Sequence, residues 1–188
     1  VYYIGNQEMA RVRKGEITFY NLDGDEIEKE LKTVEWDAEA AEKAGYEHFM
    51  IKEIHEQPKA VSDTLNSVVK DGAIDLSEVG LSEEEIKEIS QIYIVACGSA
   101  YHVGVAAQYV MEDLARIPVR VELASEFRYR NPILDPKGLV IIISQSGETA
   151  DSLAALRESK KQGVKTLGIV NVIGSSIARE ADNVFSVS

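Results

Sequence analysis

The chain has 188 residues, of which 45% are hydrophobic and 28% are charged, so it is long enough for one domain with a substantial core and an additional segment. Its net charge of −12 argues against nucleic acid or an anionic membrane as a partner, because both surfaces are negative and the longest basic cluster is only residues 11–14. No apolar run approaches the ~20 residues needed to cross a bilayer, and the single cysteine, Cys97, excludes an internal disulfide, so we expect a cytoplasmic protein.

The N-terminal part is typical of a small antiparallel β unit. Short β-prone runs cover residues 1–4, 9–13 and 16–20, with turn-forming residues between them. Because the chain opens without Met and already in a strand-like run, we predict that it is a piece of a longer protein. The predicted domain bounds are 1–36 for the β unit, 37–45 for a linker with a short helix capped by Asp37, and 46–188 for the main domain.

Two helices are predicted next, at residues 48–57 and 59–70, because Pro58 interrupts the helical pattern between them. Ser82 and Glu85 then have the spacing of a capping box, which predicts the start of a further helix. A strand follows at residues 91–96, and from there short apolar runs alternate with helical patterns.

The alternation predicts an α/β fold, a three-layer αβα sandwich around a five-stranded parallel sheet with right-handed crossovers. The predicted strands cover residues 91–96, 118–123, 139–143, 164–170 and 183–187. The unbroken apolar run 139–143 is predicted to be the central strand, covered on both faces; a buried helix segment would show the same pattern, but the shortness of the run and its β-branched isoleucines favour a strand. In the helix after residue 99, one face carries Val103, Ala107, Val110 and Leu114, and Ser125 is expected to cap a short helix at 124–130.

The central strand stops abruptly in Ser144, Gln145, Ser146, Gly147, Glu148 and Thr149, which lead into a helical run. Such a turn lies at the carboxyl end of a parallel strand, where open α/β sheets place ligands, and the helix start offers unpaired N–H groups and partial positive charge. Three hydroxyls and an amide can donate to phosphate oxygens, and Gly147 allows the backbone to approach closely. Composition alone leaves open the alternative that the hydroxyls only cap the helix.

A second turn, Cys97-Gly98-Ser99, repeats this arrangement after the strand at 91–96, so that two turns can converge on one phosphate. Three stretches carry a family resemblance, namely Ala96 to His102, Val121 to Arg130 and Ser144 to Arg157. They resemble the first sugar isomerase (SIS) domain of the glutamine:fructose-6-phosphate aminotransferase family. The stretch from Gly45 to Pro58 resembles the entry to the isomerase half of the same family.

The resemblance implies that residues 1–36 are the end of a glutaminase domain and that 46–188 are the first SIS domain with its N-terminal helical pair. It implies an enzyme that aminates fructose 6-phosphate with ammonia from glutamine, isomerises the product to glucosamine 6-phosphate for amino sugar synthesis, and dimerises through its SIS domains. The positions that match the family's phosphate-binding residues are Ser99, Ser144, Gln145, Ser146 and Thr149. Ala100 departs from the pattern, because many members carry Ser there.

The family's catalytic cysteine, Schiff-base lysine and acid/base residues have no counterpart among these 188 residues. We therefore predict no catalytic residue within the chain and no turnover by the chain alone. No cofactor and no metal is predicted, because His55 and His102 lack other ligands at suitable spacing. Cys97 is expected to be buried packing, and Glu126 with Arg128 an ion pair rather than an acid/base couple.

Two other functions stay open. A stand-alone SIS module that senses a phosphosugar would use the same turns, although a DNA-reading version would normally add a basic helix-turn-helix. A phosphosugar isomerase would need its own carboxylate or histidine base facing the Ser144 turn, and the sequence nominates none.

Overall fold

The computed structural model describes residues 1–33 and 42–187. It divides the chain into two compact units, residues 1–55 and 56–188. The predicted helix capped by Asp37 lies outside the described residues, as does most of the predicted linker, and the proposed domain bounds stay a prediction.

Unit 1 contains a three-stranded antiparallel sheet in the order β1-β2-β3. The strands are β1 (Met9–Arg13), β2 (Glu16–Tyr20) and β3 (Glu26–Ile27). The first two match the predicted bounds, but the strand expected at residues 1–4 is wrong. There Val1 alone pairs with Lys32, donating from its N-terminus at 2.6 Å and accepting at 2.9 Å, which is too short a pairing to extend into a ladder.

Helix α1 (Phe49–Val68) is one continuous helix with Pro58 inside it, so the predicted helical pair is wrong. Proline removes only one hydrogen bond of the ladder, and the turns on either side keep theirs. A hairpin of β4 (Val69–Lys70) and β5 (Ala73–Ile74) follows, turning through Asp71 and Gly72, both at positive φ. Asp-Gly is a strong signal for this turn, and the sequence prediction missed it.

The capping box is confirmed at α2 (Glu83–Glu88), which a short 3₁₀ turn (Ser77–Val79) precedes. The Glu85 N–H donates to Ser82 Oγ at 3.2 Å, and the Ser82 N–H donates to the Glu85 carboxylate at 2.9 Å. These reciprocal bonds satisfy two of the N–H groups that a helix start leaves free.

The five predicted strands form one parallel sheet with the spatial order β10-β9-β8-β6-β7. Its elements, in chain order, are β6 (Gln91–Ala96), α3 (Ser99–Ala115), β7 (Val119–Leu123), α4 (Ala124–Tyr129), β8 (Gly138–Ser144), α5 (Ala150–Lys161), β9 (Lys165–Val170), α6 (Ser176–Glu180) and β10 (Asn183–Ser186). The predicted α/β fold is confirmed, with β8 at the centre. Numbered along the chain, the strands read 2-1-3-4-5, which puts the switch in strand order between β6 and β8.

Both faces of β8 are buried, which explains its unbroken apolar run. Val140 and Ile142 pack on one face with α4, α5 and α6, while Leu139 and Ile141 pack on the other against a second buried cluster. Alternate side chains of a strand point to opposite faces, so helices on both sides require apolar residues at every position.

Two helices show features that the sequence pattern did not indicate: the N-cap residue of α4, and the face of α3 that packs on the sheet. α4 begins directly after β7 with Leu123 at its N-cap, so Ser125 lies inside the helix and does not cap it. In α3, the face that carries Val103, Val110 and Leu114 is exposed by 58%, 57% and 78%, respectively. The sheet is met instead at Gly104, where an added Cβ would lie 2.8 Å from Ile94 Cγ2. Ala107, the fourth residue of the predicted face, packs against the second buried cluster, so only Val103, Val110 and Leu114 point outward.

Candidate functional site

The turn between β8 and α5 is held in shape by its own hydroxyls. Ser144 is 4% exposed, and its Oγ accepts from the Gly147 N–H at 3.0 Å and lies 3.3 Å from Thr149 Oγ1. Ser146 is exposed, and its Oγ accepts from the Glu148 N–H at 3.3 Å. The hydroxyls of Ser144, Ser146 and Thr149 are thus brought together within one short turn. The Gln145 side chain is exposed beside them.

Of the helices that follow the carboxyl ends of the parallel strands, α3, α4 and α5 begin without a side-chain cap, and α6 begins with one. Thr149 is the N-cap of α5 and Gly98 the N-cap of α3, and neither provides a side-chain cap. By contrast, Ser82 caps α2 and Ser175 caps α6. Thr149 therefore does not cap α5 as the alternative interpretation supposed. The first-turn N–H groups of both helices carry partial positive charge and are suited to an anion.

The two turns lie side by side, as the sequence predicted. Ala96 at the end of β6 is level with Ile143 near the end of β8, so that Cys97 follows on the strand next to Ser144. Ser152 of α5 reaches across, with its Oγ 3.8 Å from Cys97 Sγ. Ser99 is exposed at the first position of α3. All five predicted site residues therefore lie at the switch point between β6 and β8.

A third connection, between β9 and α6, supports the turn and was not foreseen. The Asn171 N–H donates to the Gln145 carbonyl at 3.3 Å, and the Ile177 N–H donates to the Gly147 carbonyl at 3.0 Å. The Glu148 carboxylate accepts from the Ser176 N–H at 2.7 Å, so Glu148 binds the start of α6. The sequence signals for this contact were Gly147, which permits close approach, and Ser175, a residue type that favours helix starts.

Gly147 is required here by space as well as by conformation. Its φ is +65°, and a Cβ added to it would lie 2.0 Å from Ser175 Oγ. Two backbone segments can meet this closely only where one of them has no side chain.

The remaining candidates have structural roles. The partner of Arg128 is Asp151 in the first turn of α5, at 2.7 Å, rather than Glu126, and this hydrogen bond raises the pKa of Arg128. Cys97 is only half-buried. His102 lies edge-on to Tyr101, with ring centroids 5.3 Å apart. Within residues 1–33 and 42–187, the structure contains no helix both long enough and apolar enough to span a membrane.

Comparison with known proteins defines the class. Residues 85–188 match the family model of the SIS domain, and the chain belongs to this family. Over 185 residues, or 98% of the chain, it is 54% identical to glutamine–fructose-6-phosphate aminotransferase [isomerizing] of Clostridium acetobutylicum. The identity to the protein of the same name from Caldanaerobacter subterraneus is also 54% over 98% of the chain. The chain spans 30% of the length of these curated relatives.

A solved structure shares both the fold and much of the sequence. It is the C-terminal domain of glucosamine-fructose-6-phosphate aminotransferase from Francisella tularensis, with a TM-score of 0.73 and 46% identity. The similarity covers 78% of this chain and 41% of that one.

Proposed function

We propose that the chain is the sugar-phosphate-binding part of a glutamine:fructose-6-phosphate aminotransferase, which makes glucosamine 6-phosphate from fructose 6-phosphate and glutamine. In this proposal the phosphate is held by Ser99, Ser144, Gln145, Ser146 and Thr149, together with backbone N–H groups of α3 and α5. The observation that supports phosphate binding is that these two helices start without a side-chain cap at one switch point of the sheet. Ala100 offers no hydroxyl, and its N–H in the first turn of α3 is the donor available in place of one.

The aminotransferase is favoured over a stand-alone phosphosugar sensor by the extent of the similarity. The SIS match begins at residue 85. The 54% identity to the aminotransferase covers 98% of the chain, and therefore includes most of the residues before that point. A module that shared only the SIS fold would have no reason to retain that preceding segment. A cytoplasmic location stays a prediction from the single cysteine.

Titration calorimetry of the purified chain with fructose 6-phosphate and glucosamine 6-phosphate tests the binding site. A hydrogen bond to a charged group contributes ~1.5–3 kcal/mol, so Thr149→Val and Ser146→Ala should each weaken binding by roughly 10- to 150-fold. Thr149→Val keeps the shape of the side chain and removes only its hydroxyl. Melting curves recorded in parallel separate lost binding from lost stability.

Ser82→Ala is the matched control, because it removes a helix-capping hydroxyl from α2. It should lower the free energy of unfolding by ~1 kcal/mol and leave phosphosugar affinity unchanged. Parent-like affinity in both Thr149→Val and Ser146→Ala would mean that these hydroxyls do not hold the phosphate.

We also propose that the SIS domain forms a homodimer through the outward face of α3. The support is the stripe of Val103, Val110 and Leu114, which are each more than half exposed on one side of a 17-residue helix. Apolar side chains spaced in this way form a continuous seam that a second copy can cover. Sedimentation equilibrium should show a dimer for the parent chain and a monomer for Val110→Glu. A parent chain that is monomeric throughout the micromolar range would exclude this face as the dimer interface.

A further inference from the structure

Three hydrogen bonds join the turn between β8 and α5 to the segment that leads into α6. Two of them use backbone carbonyls, of Gln145 and Gly147, and no substitution of a side chain removes those acceptors. The third uses the carboxylate of Glu148, which accepts from the Ser176 N–H at 2.7 Å. Glu148 is thus the one side chain in this set of bonds, and the one that can be changed without altering the backbone.

The N–H groups of the consecutive residues Ser176 and Ile177 donate hydrogen bonds to two consecutive residues of the turn. Ile177 holds the Gly147 carbonyl at 3.0 Å, and Ser176 holds the Glu148 carboxylate. The Gly147 carbonyl and the Glu148 N–H belong to the same planar peptide unit, so fixing the carbonyl also fixes the direction of the N–H. The bond from Glu148 prevents this peptide from rotating, because it anchors the next side chain to the same helix start.

The charge of Glu148 suits this position. A carboxylate bound to an N–H in the first turn of a helix is stabilised both by a charge-assisted hydrogen bond and by the partial positive charge there. Glu148 directly precedes Thr149, the N-cap of α5, yet its carboxylate binds the start of α6 instead.

We propose that Glu148 is a positioning residue for phosphosugar binding. By anchoring residues 144–149 to the start of α6, it holds the hydroxyls of that turn in the arrangement proposed for phosphate binding, and it does not itself contact the ligand. This inference rests on the proposed function, since it takes the turn to be the phosphate site.

Glu148→Ala and Glu148→Gln test the inference, with Ser82→Ala as the matched control. Glutamine keeps an oxygen that can accept from Ser176, so Glu148→Gln should bind fructose 6-phosphate within about threefold of the parent chain, whereas Glu148→Ala should bind about 3- to 10-fold more weakly. Ser82→Ala loses a side-chain acceptor at another helix start and should bind as the parent does. Titration calorimetry measures each affinity.

Amide hydrogen exchange supplies a readout that does not depend on the ligand. Peptides covering residues 144–149 and 176–177 should exchange faster in Glu148→Ala than in the parent, and at the parent rate in both Glu148→Gln and Ser82→Ala. Unchanged exchange in Glu148→Ala would overturn the positioning role whatever the affinities are. So would equal weakening of binding in Glu148→Ala and Glu148→Gln, because the shared loss would then be one of charge.

Failure of the proposed function has a different signature. In that case the parent chain would not bind fructose 6-phosphate at all, while the difference in exchange between Glu148→Ala and Glu148→Gln would persist. Glu148 would then order the turn without serving a phosphate, which would overturn its role in binding.

Discussion

Gly147→Ala is a demanding test of the contact between the β8–α5 turn and α6. The substitution adds a Cβ at a residue whose φ is +65°, where that atom would lie 2.0 Å from Ser175 Oγ and 2.5 Å from Ser175 Cβ. Non-bonded carbon atoms prefer ~3.5–4.0 Å, so one of the two segments must move. We expect the turn and the start of α6 to be forced apart.

The cost has two parts. A left-handed backbone costs a residue with a Cβ about 1–2 kcal/mol, and overpacking in a tight contact typically adds about 1–3 kcal/mol. We therefore expect Gly147→Ala to lower the free energy of unfolding by about 2–5 kcal/mol. Gly163→Ala is the matched control, because its φ is +75° and nothing lies within 4 Å of the added Cβ. It should show the conformational part alone.

Urea unfolding of the two variants, followed by circular dichroism, measures the difference. The loss of entropy in the unfolded chain on replacing glycine by alanine is the same in both variants and cancels. A second substitution, Ser175→Gly, removes both atoms that the new Cβ would meet, and should restore most of the excess loss in Gly147→Ala. The reasoning is refuted if Gly147→Ala and Gly163→Ala are equally stable, or if Ser175→Gly restores nothing.

Two further predictions concern stability. The hydrogen bond with Lys165, and after it the bonds with Ser82, hold the pKa of Glu85 at about 2 against an ordinary value of 4.5. Because the pKa is lowered on folding, the stabilisation from ionised Glu85 is complete above about pH 4.5 and is lost as the pH falls towards 2. In urea unfolding, the midpoint should therefore fall less over that pH range in Glu85→Gln, which cannot ionise, than in the parent chain. Leu156 is fully buried and Leu114 is 78% exposed. At a concentration where the chain is monomeric, urea unfolding should show that Leu156→Ala lowers the free energy of unfolding by ~2–5 kcal/mol and Leu114→Ala by less than about 0.5 kcal/mol. Similar losses in the two variants would contradict the assignment of Leu114 to the surface.

Local pattern was sufficient for most of the strands. β1, β2 and β6 have the predicted bounds, and the run 139–143 lies within β8 at the centre of the sheet. The unbroken apolar run indicated an element covered on both faces, and its shortness and β-branched isoleucines favoured a strand over a buried helix segment. The capping box at Ser82 was equally local, because its bonds join residues only three apart.

Sequence reasoning was insufficient where the outcome depended on hydrogen bonds or packing beyond the local pattern, as at Pro58 and on α3. Pro58 was expected to divide a helix and does not, because losing one hydrogen bond does not end a helix whose adjoining turns are intact. The stripe on α3 looked like a single apolar face, yet Val103, Val110 and Leu114 point outward while Ala107 packs against the core, where Gly104 lets the helix lie close against Ile94. Sequence spacing shows which side chains share a face, and only packing shows which face meets the sheet.

The sequence by itself determined that two polar turns follow two parallel strands, with hydroxyl, amide and glycine side chains at the carboxyl ends. Only the tertiary structure decided that β6 and β8 are neighbours in the order β10-β9-β8-β6-β7, so that the two turns share one switch point. It also decided that Glu148 and Gly147 meet the start of α6, about 28 residues further along the chain. Strand order and such long-range bonds depend on how whole faces pack, and no short stretch of sequence contains that information.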